Sequence, residues 1–143
     1  MRITGGKARG ITLKSANGKN TRPATDRTRE SLFASLANSI EDVNCVDLFA
    51  GSGSYGFEAL SRGAKSCLFI EHNRTAIKCI KHNVQTVVKS AELKLEAIQI
   101  KQSNLLEAHS ASNQQCFDFI FLDPPYTLWE SQSMYLLDTL ALS

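Results

Sequence analysis

The sequence predicts an α/β fold built on a parallel sheet, and two observations carry that prediction. Short apolar runs alternate with segments of helical spacing, and the first run ends in a glycine-rich turn. Continuous apolar strands separated by helices are the pattern of a parallel sheet covered on both faces. The chain has 143 residues, 43% hydrophobic and 21% charged, which suits one domain with a single core. No stretch approaches the ~20 apolar residues of a membrane span. Met1-Arg2-Ile3-Thr4-Gly5-Gly6-Lys7 lacks the apolar centre of a signal peptide, so a cytoplasmic location is expected.

Taken in order, residues 2–4 and 11–15 read as two short strands around Gly5-Gly6-Lys7-Ala8-Arg9-Gly10, a small hairpin. Residues 16–25 are polar and contain Gly18 and Pro23, which predicts a loop. Asp26 is a good N-cap, and Leu32, Phe33, Leu36 and Ile40 follow at helical spacing. Residues 45–50 form the first buried strand. A helix is expected over 55–62, closed by Gly63. Residues 66–70 form a second strand, and Ile77, Ile80, Val84 and Val87 mark a helix over 74–89. Leu93, Leu95, Ala97, Ile98 and Ile100 suggest a third strand with imperfect alternation. Phe117 to Leu122 is the fourth, and Met134, Leu137 and Leu140 mark a last helix over 130–141. Residues 1–25 thus form a basic extension, and 26–143 the main domain.

Charge is unevenly distributed. Residues 1–29 carry eight basic residues against Asp26 alone, a net +7, while the remainder carries −5. Such a segment suits a phosphate-rich partner, although charge alone fits a solvated loop equally well. The four cysteines, Cys45, Cys67, Cys79 and Cys116, form no CxxC pair and read as small buried hydrophobes, with no metal site expected.

Gly51-Ser52-Gly53-Ser54-Tyr55-Gly56 follows the first strand and opens a helix. Glycines there permit a tight turn and close approach of backbone to a ligand. Glu71 ends the second strand, placed to accept the hydroxyls of a ribose. Dinucleotide-binding enzymes and methyltransferases share these features, and Asp47 separates them. Its carboxylate, inside the first strand, suits the ammonium of S-adenosylmethionine and repels a pyrophosphate. As a buried acid it also needs hydrogen bonds, which the glycine-turn amides can supply.

Asp123-Pro124-Pro125-Tyr126 closes the fourth strand. Two prolines fix the backbone and remove two amide hydrogens, leaving carbonyls beside the Asp123 carboxylate as an acceptor cluster. An exocyclic base amine donates two hydrogens; accepting both localises its lone pair and raises its nucleophilicity. Tyr126 offers a face on which a base stacks, worth ~1–3 kcal/mol. Ser103-Asn104-Leu105, after the third strand, stands where this architecture contacts adenine.

With these blocks the sequence resembles the bacterial RsmD-like 16S ribosomal RNA guanine-N2 methyltransferases. The resemblance lies in Arg2-Ile3-Thr4-Gly5-Gly6, Arg9-Gly10 and Thr21 to Phe33. It continues in Asp47 to Gly53, Gly56 to Ala64, and Phe121 to Tyr126. It implies a Rossmann-like class I methyltransferase fold, S-adenosylmethionine as cofactor with S-adenosylhomocysteine as product, and 16S ribosomal RNA or the small subunit as partner. It implies cofactor contacts from Asp47, Phe49, Ala50, Gly51, Ser52, Gly53, Glu71, His72, Ser103, Asn104, Leu105 and Asp123. Catalysis falls to Asp123, Pro124, Pro125 and Tyr126. RNA contact falls to Arg2, Lys7, Arg9, Arg22, Arg27 and Arg29.

Two departures stand out. Ser54-Tyr55 replaces the family's usual Ala-Leu, placing a bulky ring in the glycine turn's helix. The family's sheet also continues with three more strands, so a fragment is expected, or a partner chain covering the fourth strand's edge. The competing readings are a DNA adenine-N6 methyltransferase, because the same tetrad serves that amine, a non-catalytic RNA-binding remnant, and a nicotinamide-dependent dehydrogenase.

Overall fold

The computed structural model describes residues 1–16, 25–103, 116–125, 128 and 130. Its elements in chain order are α1 (Asp26–Leu36), β1 (Asn44–Leu48), α2 (Ser54–Ser61), β2 (Ser66–Glu71), α3 (Arg74–Ala91), β3 (Ile98–Gln102) and β4 (Phe119–Leu122). The strands form one parallel sheet in the order β3-β2-β1-β4. The loop expected over 16–25 and the helix expected over 130–141 fall almost wholly outside the described residues. No helix among the described residues is long and apolar enough to cross a membrane.

Strand alternation explains the layering. Cys45, Cys67, Phe69 and Phe121 share one face, where Phe33 of α1, Phe57, Ala59 and Leu60 of α2, and Ile80, Val84 and Val87 of α3 pack against them. Burying each large apolar side chain contributes roughly 1.5–3 kcal/mol. Val46, Leu48 and Ile70 point to the other face and are also buried, with Phe49, Phe117, Leu122 and Leu128 against them. On β4, which lies at one edge of the sheet among the described residues, Ile120 is 47% exposed. Gly56 sets the spacing on the helical face. A Cβ there would collide with the Phe69 ring and the Cys67 sulfur, so α2 lies closer to β2 than any other residue allows.

Several boundaries differ from the sequence expectation. The N-cap of α1 is Thr25, whose hydroxyl accepts from the Thr28 amide at 3.1 Å. Asp26 is instead drawn into ion pairs with Arg29 and Arg2. Leu93, Leu95 and Ala97 precede β3: Glu92 takes a left-handed φ of 54°, and the Ala97 amide closes a turn onto the Lys94 carbonyl. α2 closes as expected, with Gly63 and Ala64 donating to the carbonyls of Leu60 and Ala59. The N-terminal hairpin reduces to one antiparallel bridge, Arg2 to Thr12, with flanking backbone bonds between Ile3, Gly10 and Ile11.

That short arm is held by side chains of α2. Glu58 has no exposed surface, yet its carboxylate accepts from the Thr4 amide, the Thr4 hydroxyl and the Gly5 amide at 2.7–3.2 Å. It also pairs with Arg62 at 2.9 Å and Arg29 at 3.8 Å. Ser61 takes the amides of Lys7 and Ala8 through its carbonyl and hydroxyl. Gly6 has a φ of 76°, and a Cβ there would strike the Ser61 carbonyl, so the arm seats only with glycine at this position. Ile3, Ala8 and Leu13 consequently join the main core.

A buried ion pair that loses one partner leaves an uncompensated charge. Glu58→Ala should therefore destabilise the fold by about 3–5 kcal/mol in urea denaturation. Truncating the exposed Arg27 should change stability by less than about 0.5 kcal/mol.

Candidate active site

The strand order reverses between β1 and β4. In open parallel sheets that is where a crevice opens beyond the carboxyl ends of the strands. Four strand ends converge there: the glycine turn after β1, Glu71 at the end of β2, Ser103 after β3, and Asp123 after β4. The Ser103 amide donates to the Glu71 carbonyl at 3.1 Å, tying the first residue beyond β3 to β2.

The glycine turn is held from several sides. The Gly51 amide donates to Glu71 Oε2 at 2.8 Å. Glu71 Oε1 accepts from the His72 and Asn73 amides at 2.8 and 2.7 Å and lies 3.1 Å from His72 Nδ1. The Gly56 amide, in the first turn of α2, donates to Asp47 Oδ2 at 3.0 Å. The Gly53 amide turns back onto the Ala50 carbonyl at 2.6 Å. Among the described residues the space above Gly51 is open: a Cβ there would meet only the Phe49 carbonyl, at 3.9 Å. A ligand can thus approach the turn backbone directly.

Charge gives the crevice its chemical character. Asp47 is buried, and desolvation pushes its pKa up to about 8. The Gly56 amide opposes that rise, while the charges of Asp123 and Glu71 add to it. Desolvation also raises Asp123 above its ordinary value, although the residue as a whole is exposed. The charges of Asp123 and Glu71 beside Asp47 favour a ligand bearing positive charge and hydroxyl donors, and disfavour a pyrophosphate. The residues present therefore fit a cationic, ribose-bearing cofactor.

Asp123, Pro124 and Pro125 leave β4 at this edge, both prolines half-buried. The Pro125 carbonyl accepts from the Leu128 amide at 2.9 Å, so one expected acceptor of the cluster already has a partner. Asp123 closes a groove of about 330 Å³ whose other walls include Leu32 and Leu36 of α1 and Tyr55 of α2. Tyr55, the bulky departure in the glycine turn's helix, stacks on Phe121 with ring centroids 5.8 Å apart. The ring thus fills space between α2 and β4. Tyr126, Asn104 and Leu105 lie outside the described residues.

In the basic segment, Arg2, Lys7, Arg9 and Arg27 are exposed. Arg22 lies outside the described residues. Arg29 corrects the expectation of a surface contact: it is fully buried, donating to the Arg2 carbonyl and Asp26 beside Glu58. It braces the arm, and composition alone could not distinguish it from its exposed neighbours. Sequence reasoning also missed Glu58 and Asn83. The available signal was a polar residue inside an apolar helical stripe, as in Phe57-Glu58-Ala59-Leu60. Cys45, Cys67 and Cys79 are buried as expected, but Cys116 is exposed.

The family model described as Conserved hypothetical protein 95 matches residues 1–142. The chain is 44% identical over 126 residues to the ribosomal RNA small subunit methyltransferase D of Haemophilus influenzae, covering 88% of this chain and 64% of that protein. It is 38% identical to the protein of the same name from Escherichia coli K12, covering 88% and 60% respectively. The solved structure of a hypothetical protein from Thermus thermophilus is similar at 30% identity and a TM-score of 0.75. That match covers 99% of this chain and 77% of that one. The chain thus spans somewhat under two thirds of the length of these two curated relatives.

The Asp47 environment has a measurable consequence. The folded chain keeps the Asp47 proton up to about pH 8, whereas the unfolded chain releases it near 3.8. The folded state binds more protons in that window, so this group's contribution to stability declines as pH rises from roughly 4 to 8. Asp47→Asn retains an acceptor for Gly56 and removes the titration. Its melting temperature should fall less than wild type between pH 5 and 9; parallel curves would place the Asp47 pKa elsewhere.

Proposed function

The chain belongs to the Conserved hypothetical protein 95 family and has a Rossmann-like class I methyltransferase fold, and from that premise we propose that it methylates the exocyclic 2-amino group of a guanine in 16S ribosomal RNA, with S-adenosylmethionine as methyl donor. The observation that carries this reading is the meeting of Asp123-Pro124-Pro125 with the Glu71-held glycine turn at the reversal of the sheet. The names of the curated relatives support ribosomal RNA as the substrate class.

In this reading Gly51 to Gly53, Asp47, Phe49, Ala50, Glu71, His72 and Ser103 hold the cofactor. Asp47 and Glu71 face its ammonium and ribose hydroxyls. When bound, S-adenosylmethionine supplies an electrophilic methyl group on a sulfonium and leaves as S-adenosylhomocysteine. The chain's own task is then to orient a weak nucleophile. The Asp123 carboxylate accepts from the base amine and turns its lone pair toward the glycine turn, at the ~3–3.5 Å separation that reaction requires. Pro124 and Pro125 fix that carboxylate against the strand end. Asp123, with its raised pKa, is also placed to take the amine proton after transfer. The groove beside Asp123 gives a base ring an apolar surface to lie against.

The arm over residues 1–25 serves as the RNA-facing extension of the domain over 26–143. Exposed Arg2, Lys7, Arg9 and Arg27 supply phosphate contacts, and the protein acts in the cytoplasm, where its substrate resides.

The test is methyl transfer to undermethylated small ribosomal subunits, followed by nucleoside analysis. N2-methylguanosine is expected; N6-methyladenosine in DNA would favour the adenine reading, and RNA binding without transfer would favour a remnant. Asp123→Ala should lower transfer by at least about 10²-fold, a far larger loss than that of S-adenosylhomocysteine affinity. Arg27→Ala should weaken RNA binding across sequences and reduce its salt slope by about 1. An unaltered slope would return that side chain to a purely solvated role.

A further inference from the structure

Asn83 lies on α3, has no exposed surface, and is named in none of the roles above. Its carboxamide is nonetheless fully engaged. Oδ1 accepts from the Lys14 amide at 2.7 Å, and Nδ2 donates to the Lys14 carbonyl at 2.9 Å and to the Ser52 carbonyl at 3.0 Å. Two donors and one acceptor meet two carbonyls and one amide, which uses both N–H groups. Lys14 belongs to the basic arm, and Ser52 is the middle residue of the glycine turn. The arm's first residue reaches the same turn, since the Ser52 hydroxyl lies 3.5 Å from Met1 Sδ.

The bond to Ser52 acts on one peptide unit. Its carbonyl is fixed by Asn83, and its N–H, on Gly53, is fixed by the Ala50 carbonyl at 2.6 Å. Both ends of that peptide are therefore held, in a turn whose Gly51 amide is held independently by Glu71. A buried amide serving only to brace the arm would need no bond to the turn. We propose that Asn83 is a positioning residue that presets the Ser52-Gly53 peptide for the cofactor and couples it to the seating of the arm at Lys14. This rests on the cofactor reading given above. Coupling between sites is reciprocal, so occupation of the turn steadies Lys14, and loosening of the arm weakens the turn.

Asn83→Leu keeps comparable volume and removes all three bonds. Calorimetric titration with S-adenosylhomocysteine should show affinity reduced roughly tenfold or more, with helix content unchanged by circular dichroism. In the wild-type chain, saturation with S-adenosylhomocysteine should slow hydrogen exchange of the Lys14 amide by roughly tenfold, although Lys14 is not among the cofactor-binding residues. That second measurement decides the matter if Asn83→Leu does not fold. An unchanged affinity in Asn83→Leu, or Lys14 exchange indifferent to ligand, overturns the proposal while the cofactor reading stands. A wild-type chain that binds no S-adenosylhomocysteine overturns the cofactor reading and this proposal with it.

Discussion

The bond between the Gly51 amide and the Glu71 carboxylate fixes what the rest of the site depends on. It joins the turn after one strand to the last residue of the next. Glu71 also gathers the amides of His72 and Asn73, so a single carboxylate organises the start of α3 as well as the turn. Asn73 then caps α3 through Thr75 and Ala76. Parallel pairing of β1 with β2 brings these ends into register, and pairing of β1 with β4 brings Asp123 to the same edge. The sheet order is thus the cause of the site.

A second carboxylate plays the matching role on the other side of α2. Glu58 is buried without exposed surface and is neutralised by Arg62 and Arg29 and bonded by two arm amides. Replacing such a network by apolar groups is often harmless to stability, whereas breaking it is costly. Its value here lies in placement. It seats a segment that is too short and too polar to fold by itself, and so presents Lys7 and Arg9 beside the sheet domain. Arg62 adds a contact over the Phe33 ring at 5.4 Å, linking the same cluster to α1.

Much of this was legible in the sequence. The alternation of apolar runs and helical spacing gave four strands and three helices in their observed order, because parallel strands buried on both faces leave a continuous apolar signature. The places of the glycine turn, Glu71 and Asp123 at strand ends, and of Asp47 inside β1, were legible because the apolar runs mark the strands. What escaped was long-range pairing. Arg29 looked like its basic neighbours, yet helical phase places it beside Phe33 on the buried face. Glu58 and Asn83 bind backbone groups more than fifty residues away, and no local pattern encodes such partners. The role of Tyr55 escaped because its stacking partner, Phe121, lies on a strand distant in sequence.

In the proposed reading the glycine turn, Glu71 and Asp123 form one ligand site at the reversal of the sheet. Backbone amide shifts during a titration with S-adenosylhomocysteine test it most directly. The largest changes should fall on Gly51, Gly53, His72, Asn73, Ser103 and Asp123 together, from one saturating event. Changes confined to the basic arm or to the outer wall of α1, with the turn amides unmoved, would contradict it.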